Sequence, residues 1–232
     1  MERVYVDTNI LVSYALGRER AEHIDEYLDA KKVFEEAENG KYRIVVSNFV
    51  LSETLHALRN VITDDIYSDK GCGLSQQELI DMADSKEFSE KVIKESMKAF
   101  RDVVSKLTSD SKHFSIEDED QKYTKKVFED GLKVLIKSFG IFKVFRFRCE
   151  ACNQYISCNG CRTNSKIYYK GVNAPDLAHI FISVNLECKK FLTADKGFEK
   201  IADNVPIAIE IIRHWINRAT KLTEPVSWHL SF

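Results

Sequence analysis

Apolar residues along this chain follow two alternating rhythms. Short runs such as VYV (4–6), YRIVVS (42–47), KFLT (190–193) and PIAIEII (206–212) are nearly continuous, as expected for strands covered on both faces. Between them, AEHIDEYLDAKKVFEEAENG places Ile24, Leu28, Val33, Phe34 and Ala37 at helical intervals and stops at Asn39 and Gly40. NFVLSETLHALRNVI puts Leu51, Leu55, Leu58 and Ile62 on one stripe and leaves Glu53 off it. APDLAHIFISVNLE reads as a helix with Pro175 in its first turn, KGFEKIAD as a short helix, and RHWINRATK as a C-terminal one.

Strands that alternate with helices need crossover connections, and crossovers make parallel neighbours. The expected fold is therefore an α/β sandwich: three α/β/α layers around a central parallel sheet. Ligands of such sheets lie beyond the carboxyl ends of the strands. Asp7 follows VYV and Asp195 follows FLTA, so both acids are expected at that edge.

The rhythm changes from about Ile66 to Lys170. SDKGCG punctuates, QQELIDM and EFSEKVIKESMKAFRDVVSKL look helical, and TSDSKHFSIEDEDQ reads as a polar, acidic loop. YTKKVFEDGLKVLIKSF reads as a further helix, followed by strand-like IFKVFRFR and KIYYKG on either side of a cysteine cluster. This divides the chain into a core of residues 1–65 and 171–232, a largely helical insertion at 66–140, and a cysteine-bearing hairpin at 141–170.

Composition sharpens the picture in only two places. The chain has 232 residues, 44% of them hydrophobic, with 34 basic and 36 acidic side chains and a net charge of −2. That is enough for a sizeable core, and it carries no overall basicity, so a nucleic-acid site has to be local. No apolar run approaches the roughly 18 to 20 residues that span a bilayer, and Met1 leads almost directly into a strand; a cytoplasmic protein without membrane contact is expected.

The first local exception is CEACNQYISCNGC. Cys149, Cys152, Cys158 and Cys161 form C-x2-C-x5-C-x2-C, two knuckles that together suit a structural, four-thiolate Zn2+, with an iron-sulfur cluster as the alternative. The flanking strands would complete a zinc-ribbon-like β-hairpin. Cys72 and Cys188 stand alone and read as small apolar residues. The second exception surrounds the cluster: Lys137, Lys143, Arg146, Arg148, Arg162, Lys166 and Lys170 face one acid, Glu150. Phe145, Phe147, Tyr155, Tyr168 and Tyr169 are interleaved with them. Cations neutralise phosphates and aromatics stack on unpaired bases, so Arg146, Arg148, Arg162 and Lys166 are candidates for gripping RNA. The alternative is that the aromatics, Phe145 and Phe147 above all, pack the hairpin onto the main domain.

Four acids share one positional logic: Asp7 and Asp195 at strand ends, Glu53 on a polar helix side, and Asp176 in a helix first turn. Each has an ordinary explanation alone, as an Asx turn, a solvated helix residue or a complement to the helix dipole. Gathered in one crevice they would repel, unless a hard cation offsets the repulsion. An all-carboxylate set suits Mg2+ or Mn2+, whereas zinc prefers His or Cys. The chemistry that follows is hydrolysis by acidified water.

VYVDTNILVSYALG, VVSNFVLSETLHALRN and APDLAHIFISVNLECKKFLTADKGFEKI together resemble the acidic blocks of the PIN domain, the fold of VapC-type toxins and of RNA-processing nucleases. The resemblance covers about residues 1–63 and 172–212. It implies a Mg2+ or Mn2+ site made by Asp7, Glu53, Asp176 and Asp195, cleavage of single-stranded RNA, and polar support from Asn9 and Thr193. It also leaves room for an antitoxin or other protein partner and for a homodimer. Two other readings remain open. One is a non-catalytic PIN-like RNA-binding or assembly module. The other is a phosphatase of the haloacid dehalogenase type, whose D-x-D pattern is similar to the DTN here except that Asn9 holds the place of the second acid.

Overall fold

The computed structural model describes residues 1–17, 24–71, 75–118, 129–131, 133–134, 137–138 and 174–212. Five strands form one sheet: β1 (Glu2–Val6), β2 (Tyr42–Ser47), β3 (Phe114–Glu117), β4 (Lys190–Thr193) and β5 (Ala208–Ile211). Their order is β3-β2-β1-β4-β5, and every neighbouring pair is parallel. The expected α/β architecture with a central parallel sheet is the one observed.

Helices α1 (Thr8–Leu16) and α2 (Ile24–Glu38) connect β1 to β2. Helices α3 (Asn48–Gly71), α4 (Gln76–Ala83) and α5 (Lys86–Thr108) lie between β2 and β3, and α6 (Ala174–Asn185) precedes β4. Two short 3-10 turns, Lys196–Lys200 and Ala202–Asn204, link β4 to β5.

The pleat sorts the core into two layers, because successive strand residues point to opposite faces. Tyr5 is in register with Val45 and Phe191, and its ring lies 5.8 Å from that of Phe191, which in turn lies 5.2 Å from Phe198. His179 of α6 meets the Tyr5 ring at 6.4 Å, so α6 covers this face. The opposite face carries Val4 and Ile44, and Ile44 is in register with Phe114. There Phe34 of α2 packs 5.8 Å from Phe114 and 4.2 Å from Tyr14 of α1. Val4, Tyr5 and Val6 are consequently all buried, which explains the unbroken apolar run of β1.

Residue 65, the expected edge of the core, is followed by further buried residues. It lies inside α3, and residues beyond it belong to the core: Phe88, Val92, Val103 and Leu107 of α5 are buried, as are Phe114 of β3 and Val134. Gly131 sits so close to α6 that a Cβ there would lie 3.2 Å from Leu177 Cβ. The acidic stretch read as a loop contains β3, whose one fully buried side chain, Phe114, was hidden among polar neighbours. The basic and cysteine-bearing region at 141–170, with Cys149, Cys152, Cys158, Cys161, Arg146, Arg148, Arg162 and Lys166, lies outside the described residues, as does the expected C-terminal helix.

Candidate active site

The chain runs outward from β1 to β2 and β3, then returns to place β4 and β5 on the other side of β1. The strand order therefore reverses between β1 and β4, which opens a crevice beyond their carboxyl ends. Asp7 is the first residue past β1, and Asp195 lies two past β4.

Asp7 caps α1 from an extended backbone conformation, φ −74° and ψ 157°, and its Oδ1 accepts the amide of Thr8 at 2.8 Å. Its Oδ2 accepts from Asn9 Nδ2 at 3.0 Å and from the Thr193 hydroxyl at 2.6 Å. The side chain is nonetheless buried, and burial pushes the Asp7 carboxyl above its ordinary range. His179, the Thr193 hydroxyl and the Thr8 amide pull the other way, while the charge of Glu53 adds to the rise.

Thr193 and Asn9 tie the two strand ends together. Fully buried, Thr193 Oγ1 donates to Asp7 and accepts from Asn9 Nδ2 at 3.2 Å and from the Asp195 amide at 3.0 Å. Asn9 turns its carbonyl oxygen to the Ala194 amide at 3.1 Å, which fixes the orientation of its carboxamide. Asp195 itself is exposed; it caps the first 3-10 turn by accepting from the Gly197 amide at 2.6 Å.

Glu53 reaches the same edge from the second turn of α3. Its Oε2 accepts from the Thr8 hydroxyl at 3.0 Å and from His179 Nε2 at 2.5 Å. The His179 hydrogen bond holds the Glu53 carboxyl below its ordinary range, against the upward pull of partial burial. Asp176 stands in the first turn of α6, three residues before His179, and so on the same side of that helix.

The Asp7 and Glu53 carboxylates thus share Thr8 as a donor, Asp195 joins through its backbone amide on Thr193 while its carboxylate bonds the Gly197 amide, and Asp176 stands one helical turn from the imidazole that holds Glu53. Among the described residues, no group of three or more His, Cys, Asp or Glu side chains is placed to hold a metal ion. The chemistry of the donors nevertheless suits a hard divalent cation. They are oxygen atoms, and a buried Asp7 raised by desolvation and by a neighbouring carboxylate is the charge imbalance that a cation relieves.

Two participants were not identified from the sequence. Thr8 lies inside the DTN motif, and its hydroxyl is bonded to Glu53. His179 shares the spacing D-x-x-H with Asp176, a pattern that an apolar helix hides. Its side chain is only 1% exposed, its ring lies 4.7 Å from Phe49, and its Nδ1 has no hydrogen-bond partner among the described residues. A buried unpaired nitrogen costs about 1 to 3 kcal/mol, so apolar packing alone would favour another residue here.

The family model of the PIN domain matches residues 4–115, a span that contains Asp7 and Glu53 but ends before Asp176 and Asp195. No curated protein matches the chain. Among solved structures it is similar to the crystal structure of VapBC2 from Rickettsia felis bound to a DNA fragment from their promoter. That match has 13% identity, covers 90% of this chain and 98% of the other, and has a TM-score of 0.43. The PIN-like fold therefore rests on the family match and on the all-parallel sheet flanked by helices. No helix among the described residues is long and apolar enough to cross a membrane.

Proposed function

We propose that this chain, whose first half matches the PIN domain, is a Mg2+- or Mn2+-dependent ribonuclease. Asp7, Glu53, Asp176 and Asp195 are its metal-holding acids. The PIN domain match supports a nuclease-type function in general, and the observation that carries the finer reading is Asp7. A buried carboxylate with a raised pKa, at the strand-order reversal and within the field of Glu53, is a costly arrangement for a purely structural residue. A divalent ion bound there would supply acidified water and neutralise charge that builds on a phosphodiester. The chain's own contribution is orientation: Asn9 and Thr193 fix Asp7, and the Thr8 hydroxyl holds Glu53.

Residues 141–170 would add substrate capture to this chemistry. Cys149, Cys152, Cys158 and Cys161 would hold a structural Zn2+, and Arg146, Arg148, Arg162 and Lys166 would grip single-stranded RNA ahead of the acids. A protein partner such as an antitoxin would then act by lowering cleavage when the two are mixed.

The test is cleavage of structured and unstructured RNAs with added Mg2+ or Mn2+, by wild type and by Asp7→Asn. Cleavage by wild type that disappears in excess EDTA and in the variant is expected. Full activity of Asp7→Asn, or full activity in EDTA, would refute the mechanism. One observation favours a second reading, a non-catalytic RNA-binding module: Glu53 Oε2 is already engaged by both Thr8 and His179. That reading expects RNA binding without metal-dependent cleavage.

A further inference from the structure

Among the described residues at the crevice, His179 is the side chain that the four-acid scheme leaves without a task. Its environment is inconsistent with a residue kept for packing. Its buried ring packs on those of Tyr5 and Phe49, and its Nδ1 has no hydrogen-bond partner among the described residues, an arrangement a phenylalanine would meet without an unpaired nitrogen. Among the described residues its one side-chain hydrogen bond runs from Nε2 to Glu53 Oε2 at 2.5 Å. Because the carboxylate can only accept, Nε2 carries the proton.

Glu53 has a long, half-buried side chain that would otherwise sample several rotamers. His179 and Thr8 both hold the same oxygen, Oε2, from two different elements, α6 and α1. That restrains the carboxylate and keeps both donors on Oε2, so Oε1 receives no hydrogen bond from the described residues. We propose that His179 is a positioning residue that presents Glu53 Oε1 to the divalent cation. It does so by coupling α6, which also carries Asp176, to α3, which carries Glu53. The proposal rests on the metal-dependent reading above and adds to it a residue outside the acids. A ligand's hydrogen-bonded partner typically changes metal affinity by about 10- to 100-fold when removed.

Two substitutions in the full chain separate this role from packing. His179→Phe keeps the apolar packing and removes the donor; His179→Gln keeps an N–H near the Nε2 position and gives up ring packing. Mn2+ binding, followed by the disappearance of free Mn2+ in a titration, is read together with the thermal midpoint. For His179→Phe we expect a midpoint at or above that of wild type and Mn2+ affinity about 10- to 100-fold weaker. For His179→Gln we expect a lower midpoint and affinity within a few-fold of wild type. A packing role inverts the pattern: wild-type Mn2+ affinity for His179→Phe would overturn the proposal while leaving the nuclease reading in place. Absence of any difference in Mn2+ binding between wild type and Asp7→Asn would overturn the nuclease reading, and the positioning role with it.

Discussion

The hydroxyl of Thr193 donates to Asp7 Oδ2 at 2.6 Å, joining the carboxyl ends of β4 and β1 across the place where the strand order reverses. One buried oxygen thereby receives or gives three hydrogen bonds, to Asp7, to Asn9 and to the backbone of Asp195. Two residues 186 positions apart in sequence thus fix the two strand ends to each other.

Thr193→Val is isosteric but removes that oxygen, leaving the Asp195 amide unpaired and Asp7 with one donor fewer. A loss of about 1 to 3 kcal/mol is expected in denaturant unfolding, together with a severe loss of metal-dependent cleavage. Thr193→Ser keeps the hydroxyl and loses only a methyl group, so it should retain cleavage and cost about 1 kcal/mol. Equal activity of the Val and Ser variants would show that the hydroxyl does not organise the site.

Asp7 links stability to pH. Its carboxyl is raised in the fold from an ordinary value of 3.8, so the folded chain holds its proton more tightly than the unfolded one. The resulting stability is fully present below the ordinary value and is lost as pH rises through the raised one. Metal-free wild type should therefore lose stability over that window, and Asp7→Asn should not. Unfolding curves collected in EDTA from below the ordinary carboxylate range upward will show the difference; parallel pH profiles would mean that Asp7 is not strained by burial.

Phe114 tests whether the acidic stretch after α5 belongs to the core. It is 1% exposed and packs on Phe34, so Phe114→Ala should cost about 3 to 5 kcal/mol. A loss of only about 0.5 kcal/mol, the size of a surface substitution, would place β3 outside the cooperative unit.

The four cysteines proposed to hold zinc can be tested independently of the acids. Protein prepared under reducing conditions should contain about one Zn2+ per chain, and Cys149→Ser should lose most of it. Protein free of metal, with Cys149 in a disulfide, would eliminate the zinc hairpin.

For Arg146, Arg148 and Arg162, joint replacement by Ala should weaken binding of long RNA. It should also flatten the log-log salt dependence by about 0.7 for each phosphate that is no longer neutralised. An unchanged slope would assign these arginines to solubility or to a protein partner.

The local rhythms of the chain were enough to indicate the fold class. VYV, YRIVVS and KFLT are apolar on both faces, as a sheet covered on both sides requires; the helices between them force parallel strands. They also placed Asp7 and Asp195 at carboxyl ends, because a strand's last residue is a local property. Other features depended on interactions between distant segments. β3 holds a single buried Phe114 in a polar stretch, so its place beside β2 is decided by pairing and by Phe34, not by its own pattern. The reversal of strand order between β1 and β4 is a property of the whole sheet. His179 is inconspicuous in sequence because it lies on the buried stripe of α6, and its partner Glu53 is 126 residues away. Periodicity reports which side of an element faces inward; it carries no information about which distant side chain is met there, and that meeting decides the chemistry.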